Sequence, residues 1–187
     1  MQSANDIVTE DLDILCSRTL REELSALAGK AVLITGGAGF LGYYLVQALT
    51  HYNTAVDDGR RIRVTVFDNF SRGVPEWLLA LAEFKRLHLV KHDMRQPLPQ
   101  PMGHFDWIIH AASIASPTFY RIDPIGTMDA NINGLRNLLD YALARKAAGA
   151  PVEGMLFFSS SEIYGDPDPA NIPTREDYRG FVSCTGP

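Results

Sequence analysis

The densest chemical signal in this chain is the segment Thr35-Gly36-Gly37-Ala38-Gly39-Phe40-Leu41-Gly42, which follows an apolar run and precedes a stretch of helical spacing. In that setting each glycine has a task. Gly36 permits a tight turn, Gly39 lets the backbone approach a pyrophosphate, and Gly42 allows the helix to pack closely on the strand. The helix N-terminus then offers amide donors and a partial positive charge to a phosphate. A glycine string alone is weak evidence, and strand–turn–helix placement strengthens it. Asp68 closes the next β-branched run, 26 residues beyond Gly42. A carboxylate there accepts both hydroxyls of an adenosine ribose and repels a 2′-phosphate, which favours NAD over NADP. Arg72, four residues further on, carries a cation that works against this discrimination.

A second group of polar residues is Ser159-Ser160-Ser161-Glu162. On residue chemistry alone three serines read first as a polar turn ending a strand. A hydroxyl beside a carboxylate also suits proton relay and acid–base work. His110, between Ile109 and Ala111, reads as a packed, hydrogen-bonded core histidine, and His88 and His92 have no third ligand in view, so no metal site is expected. Trp77 and Trp107 read as packing residues. Cys16 and Cys184 lie too far apart in sequence for metal spacing and suit a reduced, cytoplasmic protein.

These residues need elements to hold them. At 6–28, Ile7, Leu12, Leu15, Leu20, Leu24 and Leu27 recur at helical spacing and Gly29 offers a stop, predicting a helical extension over 1–29 on a main domain at 30–187. Strands are expected at 31–35, 62–67, 87–90, 106–110 and 155–159, with helices at 39–49, 74–84 and 124–148. Leu41, Leu45, Val46 and Leu49 mark one side of the first of these helices, and Pro75 falls in the first turn of the second. The long third helix should bury Ile125, Met128, Ile132, Leu135, Leu138, Leu139 and Ala142. Apolar strands alternating with helices imply a parallel α/β sheet with right-handed crossovers.

Composition agrees with one folded domain: 187 residues, 46% hydrophobic and 21% charged. A formal charge of −5 argues against nucleic acid or an anionic membrane as partner. No apolar run reaches the roughly 18 residues of a membrane span, and the first residues lack a secretory signal pattern.

Taken in order, the glycine string, Asp68-Asn69-Phe70-Ser71-Arg72-Gly73, His92-Asp93, His110-Ala111-Ala112 and Ser159-Ser160-Ser161-Glu162-Ile163-Tyr164-Gly165 resemble the extended short-chain dehydrogenase/reductase family. These are NAD-dependent nucleotide-sugar epimerases, dehydratases and decarboxylases, and the resemblance runs from about Lys30 to the last residue. Within the family, Ala112-Ser113-Ile114-Ala115-Ser116-Pro117, Tyr120, Asp123-Pro124-Ile125, Thr127 and the continuation to Asp166-Pro167 are most similar to the UDP-glucuronate decarboxylase branch. The resemblance implies a Rossmann-like, doubly wound parallel sheet. It places Gly36, Gly39, Phe40 and Leu41 at the pyrophosphate and Asp68, Asn69 and Arg72 around the adenosine ribose. Asp93 and Met94 would meet the adenine, and Ala111, Ala112 and Ser113 would line the path to the nicotinamide. Asn131 would be structural and close to the site. Ser160 takes the position of the family's catalytic Thr or Ser, and Glu162 that of its assisting acid.

The family's central pair, a Tyr followed four residues later by a Lys, has no counterpart: Tyr141 is followed by Arg145 and falls inside the long helix. The last residues, Thr185-Gly186-Pro187, stand about where relatives approach that tyrosine. The expectation is therefore the N-terminal part of an enzyme, inactive alone, with its sheet incomplete on the C-terminal side and no sugar-nucleotide domain. The implied partners are a UDP-sugar and, through the long helix, a second copy of the protein. Two kinds of activity stay open: decarboxylation, epimerisation or dehydration through a 4-keto sugar, and non-catalytic NAD binding.

Overall fold

Five apolar runs become five short strands: β1 (Ala31–Thr35), β2 (Arg63–Asp68), β3 (Leu87–Lys91), β4 (Trp107–His110) and β5 (Gly154–Phe157). The computed structural model describes residues 3–83, 86–180 and 182, so Cys184 and the last three residues lie outside the described residues. The strands form one sheet in the order β3-β2-β1-β4-β5, and every neighbouring pair is parallel. Parallel neighbours need crossovers, which the helices α3 (Phe40–Tyr52), α4 (Glu76–Ala82), α5 (Pro117–Ile122) and α6 (Pro124–Ala147) supply. The order reverses at β1, with β2 and β3 on one side and β4 and β5 on the other. The crevice at the carboxyl ends of such strands is where open α/β sheets bind ligands.

β1 is buried at all five positions, as a central strand covered on both faces must be. Val32 and Ile34 face Val46, Leu49 and Tyr52 of α3 and Leu78 of α4. Leu33 turns the other way, among Phe67, Met94, Phe105, Ile108 and Leu138 of α6. The chain divides into two compact units, Met1–Phe157, which holds the sheet, and Phe158–Pro187. The second carries two short 3-10 turns, Ser161–Tyr164 and Pro169–Asn171. Among the described residues no helix is long and apolar enough to cross a membrane.

The single helix expected at 6–28 is in fact α1 (Ala4–Ile14), a π turn (Leu15–Thr19) and α2 (Arg21–Ala26). Ser3 and Asp6 form a capping box at the start, Leu20 leaves helical geometry at φ −117 and ψ 21, and Gly29 ends the segment at φ +77. The outer side of α3 receives this segment: Tyr44 Oη donates to Asp11 at 3.0 Å, His51 Nε2 lies 2.7 Å from Asp13 and Cys16 Sγ donates to the Ala48 carbonyl at 3.5 Å.

Most element ends fall within a residue or two of expectation, but three features differ. Pro75 stands just outside α4 as its N-cap, because it is extended at ψ 144. α5 carries too few residues to show a periodicity. In α6 the buried residues are Gly126, Gly134 and Leu138, while Ile125 is 64% exposed and Ile132 59%. Met128 and Leu139, also expected inside, are exposed as well, as is Leu41 of α3. The cause in α6 is close packing through glycine. A Cβ at Gly134 would meet the Met94 Cβ at 3.2 Å, so this face lies against the segment after β3 and turns the aliphatic stripe outward.

Candidate cofactor site

The glycine turn lies where the strand order reverses. Gly36 adopts φ +73, and a Cβ on it would stand 2.6 Å from the Ala112 Cα, so the turn touches the segment after β4. Its amide donates to the Phe67 carbonyl at 2.8 Å, continuing the β1–β2 ladder into the turn. Gly39 is the N-cap of α3 and brings no side-chain cap. The first-turn amides therefore face outward without a side-chain oxygen before them, an opening suited to an anion. Phe40 is 92% exposed, so its ring takes no part in the core. Gly42 is buried where the first turn of α3 meets the glycine turn. A Cβ there would collide with the Gly37 carbonyl, so this glycine closes the turn upon itself.

Asp68 joins the two halves of the site. One carboxylate oxygen accepts the Ala38 amide of the glycine turn at 3.1 Å. The other accepts the Phe70 amide at 2.8 Å. A carboxylate has about four acceptor positions, so both oxygens keep capacity for ribose hydroxyls. Asn69 accepts the Ser71 amide at 3.0 Å, and the loop turns through left-handed Phe70 (φ 51) and Gly73 (φ 82). Beyond it the Arg72 guanidinium lies 5.2 Å from the centre of the Phe119 ring.

The residues after β3 and β4 complete the rim. Asp93 is gripped by Arg95, whose Nε and Nη2 donate at 2.9 and 2.6 Å, and this guanidinium holds the carboxyl below the usual range. Met94 is 3% exposed. Its side chain belongs to the core, leaving its main chain for any ligand. Ala111 donates to the Thr35 carbonyl at 3.1 Å and Ala112 to Thr35 Oγ1 at 3.3 Å. Ser113 Oγ accepts from Asn131 Nδ2 at 3.0 Å. His110 is 1% exposed and its Nδ1 lies 2.6 Å from Thr35 Oγ1. The Ala112 amide and the His110 ring thus converge on the Thr35 hydroxyl, while His110 Nε2 is buried without a hydrogen-bond partner. Burial pulls the His110 pKa down to about 4, so the ring is neutral at neutral pH. Arg95 and Phe119 were not singled out in the sequence, and Thr35 entered only as the residue that opens the glycine segment. A threonine ending an apolar strand just before a glycine turn, and an arginine two residues after Asp93, were the available signals.

Ser160 and Glu162 lie in the 158–187 unit. Ser160 caps the turn Ser161–Tyr164, its Oγ accepting the Glu162 amide at 3.2 Å, and both residues are exposed. Tyr141 is structural: its hydroxyl donates to the Gly103 carbonyl at 2.8 Å and accepts the Phe105 amide at 3.1 Å.

A glycine turn without a side-chain cap and a carboxylate with spare acceptor positions on the adjacent strand fit a dinucleotide. A model of the NAD dependent epimerase/dehydratase family matches residues 32–182. The chain belongs to that family. This epimerase/dehydratase chain is 37% identical over 155 residues to UDP-glucuronic acid decarboxylase 1 of Arabidopsis thaliana, covering 83% of the chain and 31% of the relative. It is 39% identical over 168 residues to UDP-glucuronic acid decarboxylase 1 of Danio rerio, covering 88% of the chain and 35% of the relative. Among solved structures it resembles a UDP-galactose 4-epimerase (TM-score 0.61, 28% identity, 81% of this chain and 44% of that one). It also resembles a dTDP-glucose 4,6-dehydratase from Streptomyces venezuelae solved with NAD and TYD bound (TM-score 0.58, 26% identity, 74% and 42%). The epimerase/dehydratase chain thus spans about a third of these curated relatives and under half of these structures.

Proposed function

We propose that the chain holds NAD for a nucleotide-sugar enzyme acting through a 4-keto sugar, with UDP-glucuronate as substrate and decarboxylation as outcome. The observation that carries the cofactor reading is Asp68, tied at once to the glycine turn and to its own loop at the reversal of strand order. The decarboxylase reading rests on the relatives named above. Bound NAD supplies a reversible hydride acceptor. The chain's own groups do the holding: the α3 amides face the pyrophosphate, Asp68 accepts the ribose hydroxyls, and the Ala111–Ser113 backbone lines the way to the nicotinamide. Ser160 orients a sugar hydroxyl and Glu162 moves a proton. In this reading the protein is cytoplasmic, binds neither nucleic acid nor membrane, and pairs with a second copy through the exposed stripe of α6.

A second reading is NAD binding without turnover, which the glycine turn and Asp68 would support by themselves. One assay separates them. The full-length protein is incubated with NAD and, in turn, UDP-glucuronate, UDP-galactose and a dTDP-hexose. UDP-xylose or its 4-keto precursor from UDP-glucuronate is the expected product. Conversion of another sugar alone overturns the decarboxylase reading, and NAD binding with no product from any sugar establishes the binding module.

A further inference from the structure

We propose that Arg72 and Phe119 form a strap across the cofactor groove that sets how fast NAD leaves, an inference that rests on the NAD reading above. The sheet order places β1 between β2 and β4, all running the same way. Their carboxyl ends therefore share one edge, with the glycine turn in the middle. Arg72 lies four residues past the end of β2 and Phe119 nine past the end of β4. A contact between them runs from one flank of the turn to the other, past the place where the pyrophosphate is held.

The contact has the form of a cation over an aromatic face, 5.2 Å from guanidinium carbon to ring centre, within the range of a cation–π attraction. Both ends are anchored. The Phe119 amide donates to the Ser116 carbonyl at 3.0 Å, and its own carbonyl accepts the Asp123 amide at 3.0 Å. On the other side the Gly73 amide donates to the Phe70 carbonyl at 2.9 Å, closing the turn that carries Arg72. Phe119 is 51% exposed and belongs to neither core cluster, so packing does not account for an aromatic here. Stacking on a ring face leaves the guanidinium its charge, so the strap also presents a cation to the diphosphate beneath it.

The test uses the full-length protein loaded with a fluorescent ethenoadenine analogue of NAD and chased with excess NAD. Release is timed for the wild type, Phe119→Leu, Phe119→Tyr, Arg72→Gln and the Phe119→Leu/Arg72→Gln pair, with circular dichroism to show each variant folded. Phe119→Leu is expected to release the analogue about three- to tenfold faster. Phe119→Tyr should stay near the wild-type rate, and Phe119→Leu should add nothing once Arg72 is gone. An unchanged rate in folded Phe119→Leu, or equal acceleration in both backgrounds, overturns the strap while the NAD reading stands. A wild type that does not retain the analogue at all overturns the NAD reading, and the strap with it.

Discussion

Asp68 ties the glycine turn to its own loop through one carboxylate, the same group proposed to meet the ribose, and one substitution removes both. Asp68→Ala removes the proposed ribose acceptor and the tie to Ala38 together, so NAD affinity should fall at least tenfold, about 1.4 kcal/mol or more; unchanged affinity by calorimetry would refute the assignment. His110 makes a pH prediction. Its pKa lies near 4 in the folded chain because burial disfavours the charged ring, whereas an unfolded histidine titrates near 6.5. The unfolded state therefore binds the extra proton between those values, and stability falls as pH drops from about 6.5 to 4, by on the order of 3 kcal/mol. Above that window the contribution is constant. Urea unfolding of wild type and His110→Asn at pH 7.5 and 4.5 measures it, and the variant should lose less stability between the two pH values. The placement of Asp68 and the glycine turn at the ends of neighbouring strands was legible because it depends on local spacing. Thr35 was not, because its partner His110 lies 75 residues away and becomes a neighbour only through the β1–β4 register.

Among the elements, α6 shows what periodicity does and does not say. The apolar residues do recur along one stripe, yet the stripe does not reveal which side meets the sheet. Gly134 decides that, since a Cβ there would press on Met94, whereas a Cβ at Gly126 would meet only the helix's own cap, Asp123. Tyr141, on the same helix, anchors the 103–105 segment through two hydrogen bonds. Tyr141→Phe should destabilise the fold by roughly 1–3 kcal/mol, since it removes both bonds and strands partly buried backbone groups. NAD affinity should not change. A chemical-denaturation midpoint beside an NAD titration distinguishes this anchor from a catalytic tyrosine. The N-terminal segment was legible as helical but not as broken, because the π turn and the kink at Leu20 answer to packing on α3 rather than to local propensity.

For the molecule as a whole, the outward stripe of Ile125, Ile132 and Leu143 on α6 is the surface proposed to pair with a second copy. Ile132→Glu in the full-length protein should shift the sedimenting species from dimer toward monomer, and an unchanged dimer would place the interface elsewhere. The sheet order has a further consequence, in time rather than in space. β1 pairs with β2 across a gap of about 30 residues, but β4 joins β1 across a gap of about 75. Contacts at long sequence separation form late. During synthesis the β1–β2–β3 half is therefore free to assemble first, and its exposed β1 edge must wait for β4. The groove between the glycine turn and the segment after β4 does not exist until then. A nucleotide arriving early finds nothing to hold it, so cofactor capture is a checkpoint on the completed register and not a template for the first three strands.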